Sequence, residues 1–363
     1  MDERLDPWGS VEVADYERLM KKFGIESAVK YQKKFNDLIY FRRGIIFGHR
    51  DFGRIADAIE NRKRFAMMTG MMPSGTFHLG HKMVADEIIW FQKKKADIFI
   101  CAADIESYLM RDMPLDKARK IAIEEYLTNY VALGLKPENV TFWFQSDYKK
   151  EYYRLCDIAA KEVTFNELKG IYGELTNGKI ISALKQVGDI LHPQLKEFGG
   201  PRPVVVPVGT DQDPHLRLSR DISSRLQGFN MIPPSATYHK LMSGLQGGKM
   251  SSSKPDSYIS LSGNPKTESK KVLSAKTGGR ATLEEQKKLG GIPEQCVVYE
   301  MCFYHLVEDD KELEEMRSDC KSGKLLCGEC KKKCSEKLEK FLAEHQKKRV
   351  EAGKIVEKIL KQK

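Results

Sequence analysis

From Lys63 onward the chain alternates short apolar runs with longer segments of helical spacing. RFAMMTG is an apolar run closed by Gly70, and MMPSGTF then brings Pro and Gly turn chemistry. HLGHKMVADEIIWFQKKK follows with Ile88, Ile89 and Phe91 on its apolar side, ending in lysines that suit a helix C-terminus. ADIFICAADIE reads as a second strand. PLDKARKIAIEEYLTNYVALGL reads as a long amphipathic helix closed by Gly134 and Pro137, and VTFWFQSD as a third strand. Strands and helices alternating at this spacing predict an α/β fold around a parallel sheet with right-handed crossovers. Ligands of such sheets bind beyond the C-terminal ends of the strands.

Residues 149–200 are more helical and interrupted by glycines, which suggests an insertion between two halves of the sheet. VVVPV has the composition of a buried strand, and TDQDP is its C-terminal loop, opening a helix. A Gly- and Ser-rich loop, GLQGGKMSSSKPD, follows and is too polar for core. After about Asn264 the chain is charged and helical to its end. The expected division is a helical leader over 1–62, a catalytic-type α/β domain with an insertion over 63–265, and a helical domain over 266–363. The RRGIIFGHRDF stretch of the leader is expected to pack on its neighbours.

At 363 residues, with 41% hydrophobic and 31% charged residues, the chain is globular in composition and long enough for two or three domains. No apolar run approaches the ~20 residues of a membrane span. The first residues, MDERLDPWGSVEV, are acidic and polar where a secretory signal would be basic and then apolar, so a cytoplasmic location is expected. Net charge is +10, and residues 321–363 alone hold 14 basic and 6 acidic side chains. Such a basic segment beside a nearly neutral body suits a polyanionic partner such as nucleic acid, although a solvated charged helix has the same composition.

Two segments carry candidate chemistry. In GMMPSGTFHLGH a strand ends, a Pro-Gly turn follows, and two histidines three apart open a helix, so His78 and His81 share one face. A helix N-terminus with two imidazole donors suits phosphate. Metalloprotease spacing is absent. In GGKMSSSKPD, Lys249 and three serines form a loop dense in donors, but Met250 breaks the P-loop pattern. Either segment alone is also consistent with capping histidines or a plain surface loop.

Together they resemble the paired signature of class I aminoacyl-tRNA synthetases. HLGH (78–81) resembles the HIGH motif of that class, and KMSSS (249–253) resembles its KMSKS loop at four of five positions. Further stretches resemble the archaeal and eukaryotic tryptophanyl branch: TFNELKGIYGE, VPVGTDQDPHLRLSRD, GLQGGKMSSS and GGRATLEEQKKLGG. The likeness runs from about Phe65 to the C-terminus. It implies a Rossmann-like catalytic domain, a helical anticodon-binding domain and a homodimer. The implied reaction activates tryptophan with ATP and Mg2+, then charges tRNA(Trp). The resemblance assigns phosphate and adenine contacts to Pro73, Ser74, Gly75, His78, Leu79, Gly80 and His81. Lys249, Met250, Ser251, Ser252 and Ser253 would close on the pyrophosphate. His78, His81 and Lys249 are the implied catalytic groups.

The same resemblance assigns the charged end of the amino acid to Glu106, Gln186 and Gln212. The Tyr and Gln that usually accept the indole N–H are replaced here by Met68 and Cys101, both poor acceptors. An unpartnered buried N–H costs ~1–3 kcal/mol, so another acceptor is required. Asp104 or a backbone carbonyl is a candidate, and tyrosine stays open as the alternative substrate. Other readings are a tRNA-binding paralogue without catalysis and a nucleotidyltransferase that uses the same fold without tRNA.

Six of the eight cysteines lie between Cys296 and Cys334. Some relatives hold an iron–sulfur cluster with the spacing C-x22-C-x6-C-x2-C, and Cys296, Cys320, Cys327 and Cys330 match it with one extra residue in the long gap. A [4Fe–4S] cluster, a zinc ion and reduced thiols all remain open, with Cys302 and Cys334 as competing ligands. In the C-terminal helices Leu338, Phe341, Leu342, Val350, Ile355, Val356, Ile359 and Leu360 are expected to form the buried face. The lysines opposite would meet tRNA phosphates.

Overall fold

The computed structural model describes residues 5, 7, 8, 15–248, 250 and 254–362. These divide into two compact units, one of Met1–Ser74, Val84–Lys240 and Gly353–Lys363, the other of Gly75–Met83 and Leu241–Ala352.

The first unit is built on seven strands: β1 (Glu26–Ser27), β2 (Ile46–Arg50), β3 (Ala66–Met71), β4 (Asp97–Ala102), β5 (Val140–Phe144), β6 (Val204–Gly209) and β7 (Ser235–His239). Their order is β1-β2-β7-β6-β3-β4-β5. β3 pairs in parallel with β4 and β6, β4 with β5, and β6 with β7. The α/β sheet expected from the apolar runs is therefore present. Pro207 sits inside β6 without breaking the sheet, because the β3 pairing ends at Val205 before the missing N–H would be needed.

The leader departs from the helical expectation. Ile46–Arg50, within the stretch expected to pack on its neighbours, does so as a strand antiparallel to β7, and β1 pairs antiparallel to β2. Its partner β7, SATYH, is buried along its whole length despite its polar residues. Glu87 Oε1 lies 2.8 Å from His239 Nδ1, and Tyr238 donates to Asp213, which Arg50 grips through Nε at 2.9 Å and Nη2 at 3.1 Å. The rest of the leader adds an aromatic cluster in which Phe35, Phe41 and Phe52 meet each other and the first two also meet Trp90.

β3, β4 and β5 run outward to one edge, and the chain then returns to β6 on the other side of β3. The return is made by three helices, Lys150–Lys161, Phe165–Tyr172 and Asn177–Leu191. This reversal is a topological switch point, where a ligand crevice is expected at the strand C-termini. Pro73 follows β3, Glu106 follows β4 and Gln212 follows β6. Thr176 caps the third helix by accepting from the Lys179 N–H. Gly188 lets that helix pack closely, since a Cβ there would stand 2.2 Å from Cys156 Sγ.

In the second unit Leu338, Leu342 and His345 of the Cys327–Glu351 helix are buried together with Val298, Met301 and Leu261. Val350 is 87% exposed, contrary to expectation. That helix ends at Glu351 and a separate one, Gly353–Leu360, begins after Ala352, so the apolar period breaks and Val350 falls off the stripe. In the first unit Val356 and Ile359 of that last helix are buried.

Candidate active site

The HLGH segment is fixed by strand-like pairing. Leu79 N–H donates to the Ile259 carbonyl at 3.1 Å, and Leu261 N–H donates to that of Phe77 at 3.0 Å. His78 Nδ1 accepts the Gly80 N–H and His81 Nδ1 accepts the His78 N–H, each at 3.2 Å. With both Nδ1 atoms acting as acceptors, each ring is held as the Nε2–H tautomer. Burial keeps both imidazoles neutral, pushing His78 down to about 4 and His81 well below its ordinary value. A Cβ on Gly80 would come 3.0 Å from His78 Cε1 and 3.3 Å from Met250 Sδ. The one described residue of KMSSS thus lies against HLGH. Lys249, Ser251, Ser252 and Ser253 lie outside the described residues.

In the first unit the carbonyl of Pro73 accepts from Ser107 Oγ at 3.1 Å. Ser74 follows it, while Gly75 opens the second unit. Glu106 is almost fully buried at the start of the Asp104–Arg111 helix. Its Oε1 accepts from Trp8 Nε1 at 2.9 Å and Ser182 Oγ at 3.0 Å, and its Oε2 accepts from Gln186 Nε2 at 3.0 Å. Burial raises the Glu106 carboxyl while these three donors oppose the rise. Gln212 Nε2 donates to the Pro7 carbonyl at 3.3 Å. Glu106 and Gln186 are thus in direct contact, and Gln212 joins them through the Pro7–Trp8 segment.

Asp104 is not available as an indole acceptor. It receives the backbone N–H groups of Ile105 and Ser146, each at 3.0 Å, together with Arg119 and the Ser146 hydroxyl. The carboxylate that sequence reasoning missed is Asp189. It accepts from Gln145 Nε2 at 2.6 Å, Tyr152 OH at 2.8 Å and Cys101 Sγ at 3.4 Å. Burial lifts its carboxyl to about 7. Its one sequence signal was an acidic residue on the apolar face of a helix, three positions after Gln186. Met68 is buried nearby: a Cβ on Gly70 would touch both Met68 Cε and Cys101 Cβ, at 3.9 and 3.8 Å.

Cys296, Cys320, Cys327 and Cys330 line one small cavity in the second unit, walled by Tyr299 and Met316. Burial and the neighbouring thiols raise Cys320 and Cys330, so these groups stay protonated without a cation. Two glycines make room for the sulfurs, since a Cβ on Gly279 or Gly291 would stand 2.8 Å from Cys327 or Cys320 Sγ. Cys302 and Cys334, both free and buried, are in hydrogen-bond contact with each other. A single zinc ion needs four sulfurs at about 2.3 Å. Among the described residues no three His, Cys, Asp or Glu groups are close enough to hold one ion.

Comparison with known proteins covers nearly the whole chain. Residues 60–343 match the family described as tRNA synthetases class I (W and Y). A tryptophan–tRNA ligase of Methanocaldococcus jannaschii is 51% identical over 98% of each chain. The crystal structure of a tryptophanyl-tRNA synthetase from Aeropyrum pernix superposes with a TM-score of 0.91 at 48% identity, covering 98% of both. A tryptophan-bound synthetase from Encephalitozoon cuniculi gives 0.84 at 28%, covering 97% of this chain and 98% of its own. Among the described residues no helix is long and apolar enough to cross a membrane.

Proposed function

Because the chain belongs to the class I tRNA synthetases specific for tryptophan and tyrosine, we propose the following division of labour among its residues in tryptophan–tRNA ligation. A carboxylate oxygen of tryptophan attacks the α-phosphorus of ATP, the bond to pyrophosphate breaks, and tryptophanyl-adenylate forms. A hydroxyl of the terminal tRNA ribose then attacks the acyl carbon, AMP leaves, and the hydroxyl proton is released. Neither step needs a side-chain nucleophile, so the protein's contribution is positioning and charge stabilisation.

His78 and His81 donate Nε2–H to phosphate oxygens, and Pro73, Ser74, Gly75, Leu79 and Gly80 shape the bed of the nucleotide. Lys249, with Met250 and Ser251 to Ser253, closes on the departing pyrophosphate. Mg2+ accompanies ATP and shares that charge. Glu106, Gln186 and Gln212 hold the charged end of tryptophan. Asp189 accepts the indole N–H, a role supported by its contact with Cys101 where family members carry an indole-binding residue. The observation that carries the reaction is full-length likeness to tryptophan–tRNA ligases, with Met250 of KMSSS lying against Gly80 of HLGH.

Exchange of pyrophosphate into ATP tests it directly. Stimulation by tryptophan is expected; stimulation by tyrosine alone overturns the substrate. Residues 266–363 are proposed to bind the anticodon region, with the exposed Lys332, Lys333, Lys340, Lys347 and Lys348 set against phosphates. Charging of tRNA(Trp) in the cytoplasm, weakened as salt rises, is the corresponding expectation. A homodimer is proposed, supported by apolar side chains left exposed at Tyr108, Phe165 and Ile181. We further propose a [4Fe–4S] cluster on Cys296, Cys320, Cys327 and Cys330, which would tie the segments carrying these thiols together.

A further inference from the structure

The segment at Pro7 and Trp8 has no part in the reaction described above, yet it is built into the amino-acid side of the first unit. The Trp8 ring lies 5.2 Å from that of Tyr172 and edge-on to His215 at 5.5 Å, with Lys179 Nζ over its face at 5.4 Å. Its indole N–H donates to Glu106, and the preceding carbonyl accepts from Gln212. A single residue of the leader therefore touches helices that follow β4, β5 and β6.

A carboxylate offers about four lone-pair sites. Trp8 and Ser182 fill both on Oε1 of Glu106, and Gln186 fills one on Oε2. Among the described residues these donors leave one acceptor site, on Oε2. We propose that Trp8 is a positioning residue for amino-acid binding, its N–H locking Oε1 of Glu106 so that the last lone pair of Oε2 is presented to the ammonium group of the substrate. This rests on the assignment of Glu106 to that ammonium.

Without the Trp8 donor, the carboxylate can rotate, and Ser182 or Gln186 takes the site meant for the ligand. Trp8→Phe keeps an aromatic ring at the site while removing the N–H together with one ring of the indole.

The test uses the full chain, its Trp8→Phe and Glu106→Gln variants, and two ligands: tryptophan, and indole-3-propionate, which lacks the ammonium. KM for tryptophan and the inhibition constant of indole-3-propionate are read from pyrophosphate exchange. Their ratio does not depend on the fraction of folded enzyme. Trp8→Phe is expected to raise the KM for tryptophan about tenfold, more than it lowers kcat, and to leave indole-3-propionate within about twofold. An unchanged or lower KM overturns the proposal; a lower one means that Trp8 blocks the substrate instead of preparing its site. If Glu106→Gln weakens both ligands equally, the assignment of Glu106 itself fails. If Glu106→Gln is selective for tryptophan and Trp8→Phe is not, only the role of Trp8 fails.

Discussion

The rings of His78 and His81 stack with centroids 3.8 Å apart and planes inclined by 26°. Two imidazolium ions would repel at that distance, so the stack stands only while both rings are neutral. Burial supplies that condition, holding His78 at about 4 and His81 well below 6.5. As neutral Nε2–H donors they act without a change of charge over the physiological range. On the proposed assignment, replacing either by Ala removes one donor to the developing phosphate charge, a loss of about 100-fold or more in rate. Exchange kinetics should show this loss while tryptophan binding, followed by fluorescence titration, stays within about threefold.

Gly80 tests the contact between the two motifs. Gly80→Ala places a methyl 3.0 Å from His78 Cε1 and 3.3 Å from Met250 Sδ, closer than ordinary packing. Overpacking of this kind costs about 1–3 kcal/mol. Thermal unfolding should show that loss, and the KM for ATP should rise more than that for tryptophan. Equal changes in both would mean the glycine serves folding alone.

Asp189 gives a pH signature. Burial lifts its carboxyl from 3.8 to about 7, so in the free enzyme the ionised acceptor is lost as pH falls through 7. An indole N–H favours the ionised form, so kcat/KM for tryptophan should decline between pH 8 and pH 6. Asp189→Asn should flatten that decline and raise KM at pH 8 by about tenfold. A variant with unchanged KM and the same pH profile removes Asp189 from the substrate.

The thiol cavity makes an analytical prediction. Anaerobically prepared protein should contain iron and acid-labile sulfide in near-equal amounts and be brown, and Cys327→Ser should bleach it. A colourless, iron-free sample rules the cluster out; zinc in its place would keep the metal and change its kind.

The four strands that run parallel from β6 to β5 were legible because burial on both faces demands near-continuous apolar runs. β7 was not. SATYH is buried with its polar groups satisfied by Glu87 and Asp213, partners far away in sequence that no local pattern announces. β2 was hidden for the same reason, since an apolar run on a helical-looking leader gives no sign of the strand it will pair with. In the candidate site, HLGH and KMSSS were visible because their chemistry is packed into four and five consecutive residues. Asp189 was invisible because its meaning depends on Cys101, Tyr152 and Gln145, brought together only by folding. Trp8 was hidden similarly, its N–H finding Glu106 across 98 positions.

The pairing of Leu79 with Ile259 and of Phe77 with Leu261 ties the backbone of the imidazole pair to the stretch that returns from KMSSS. Two main-chain hydrogen bonds therefore register one segment on the other, and the register of Ile259 and Leu261 becomes a determinant of where the two imidazoles stand. Slipping that ladder by a residue would displace the rings without altering a single side chain of HLGH.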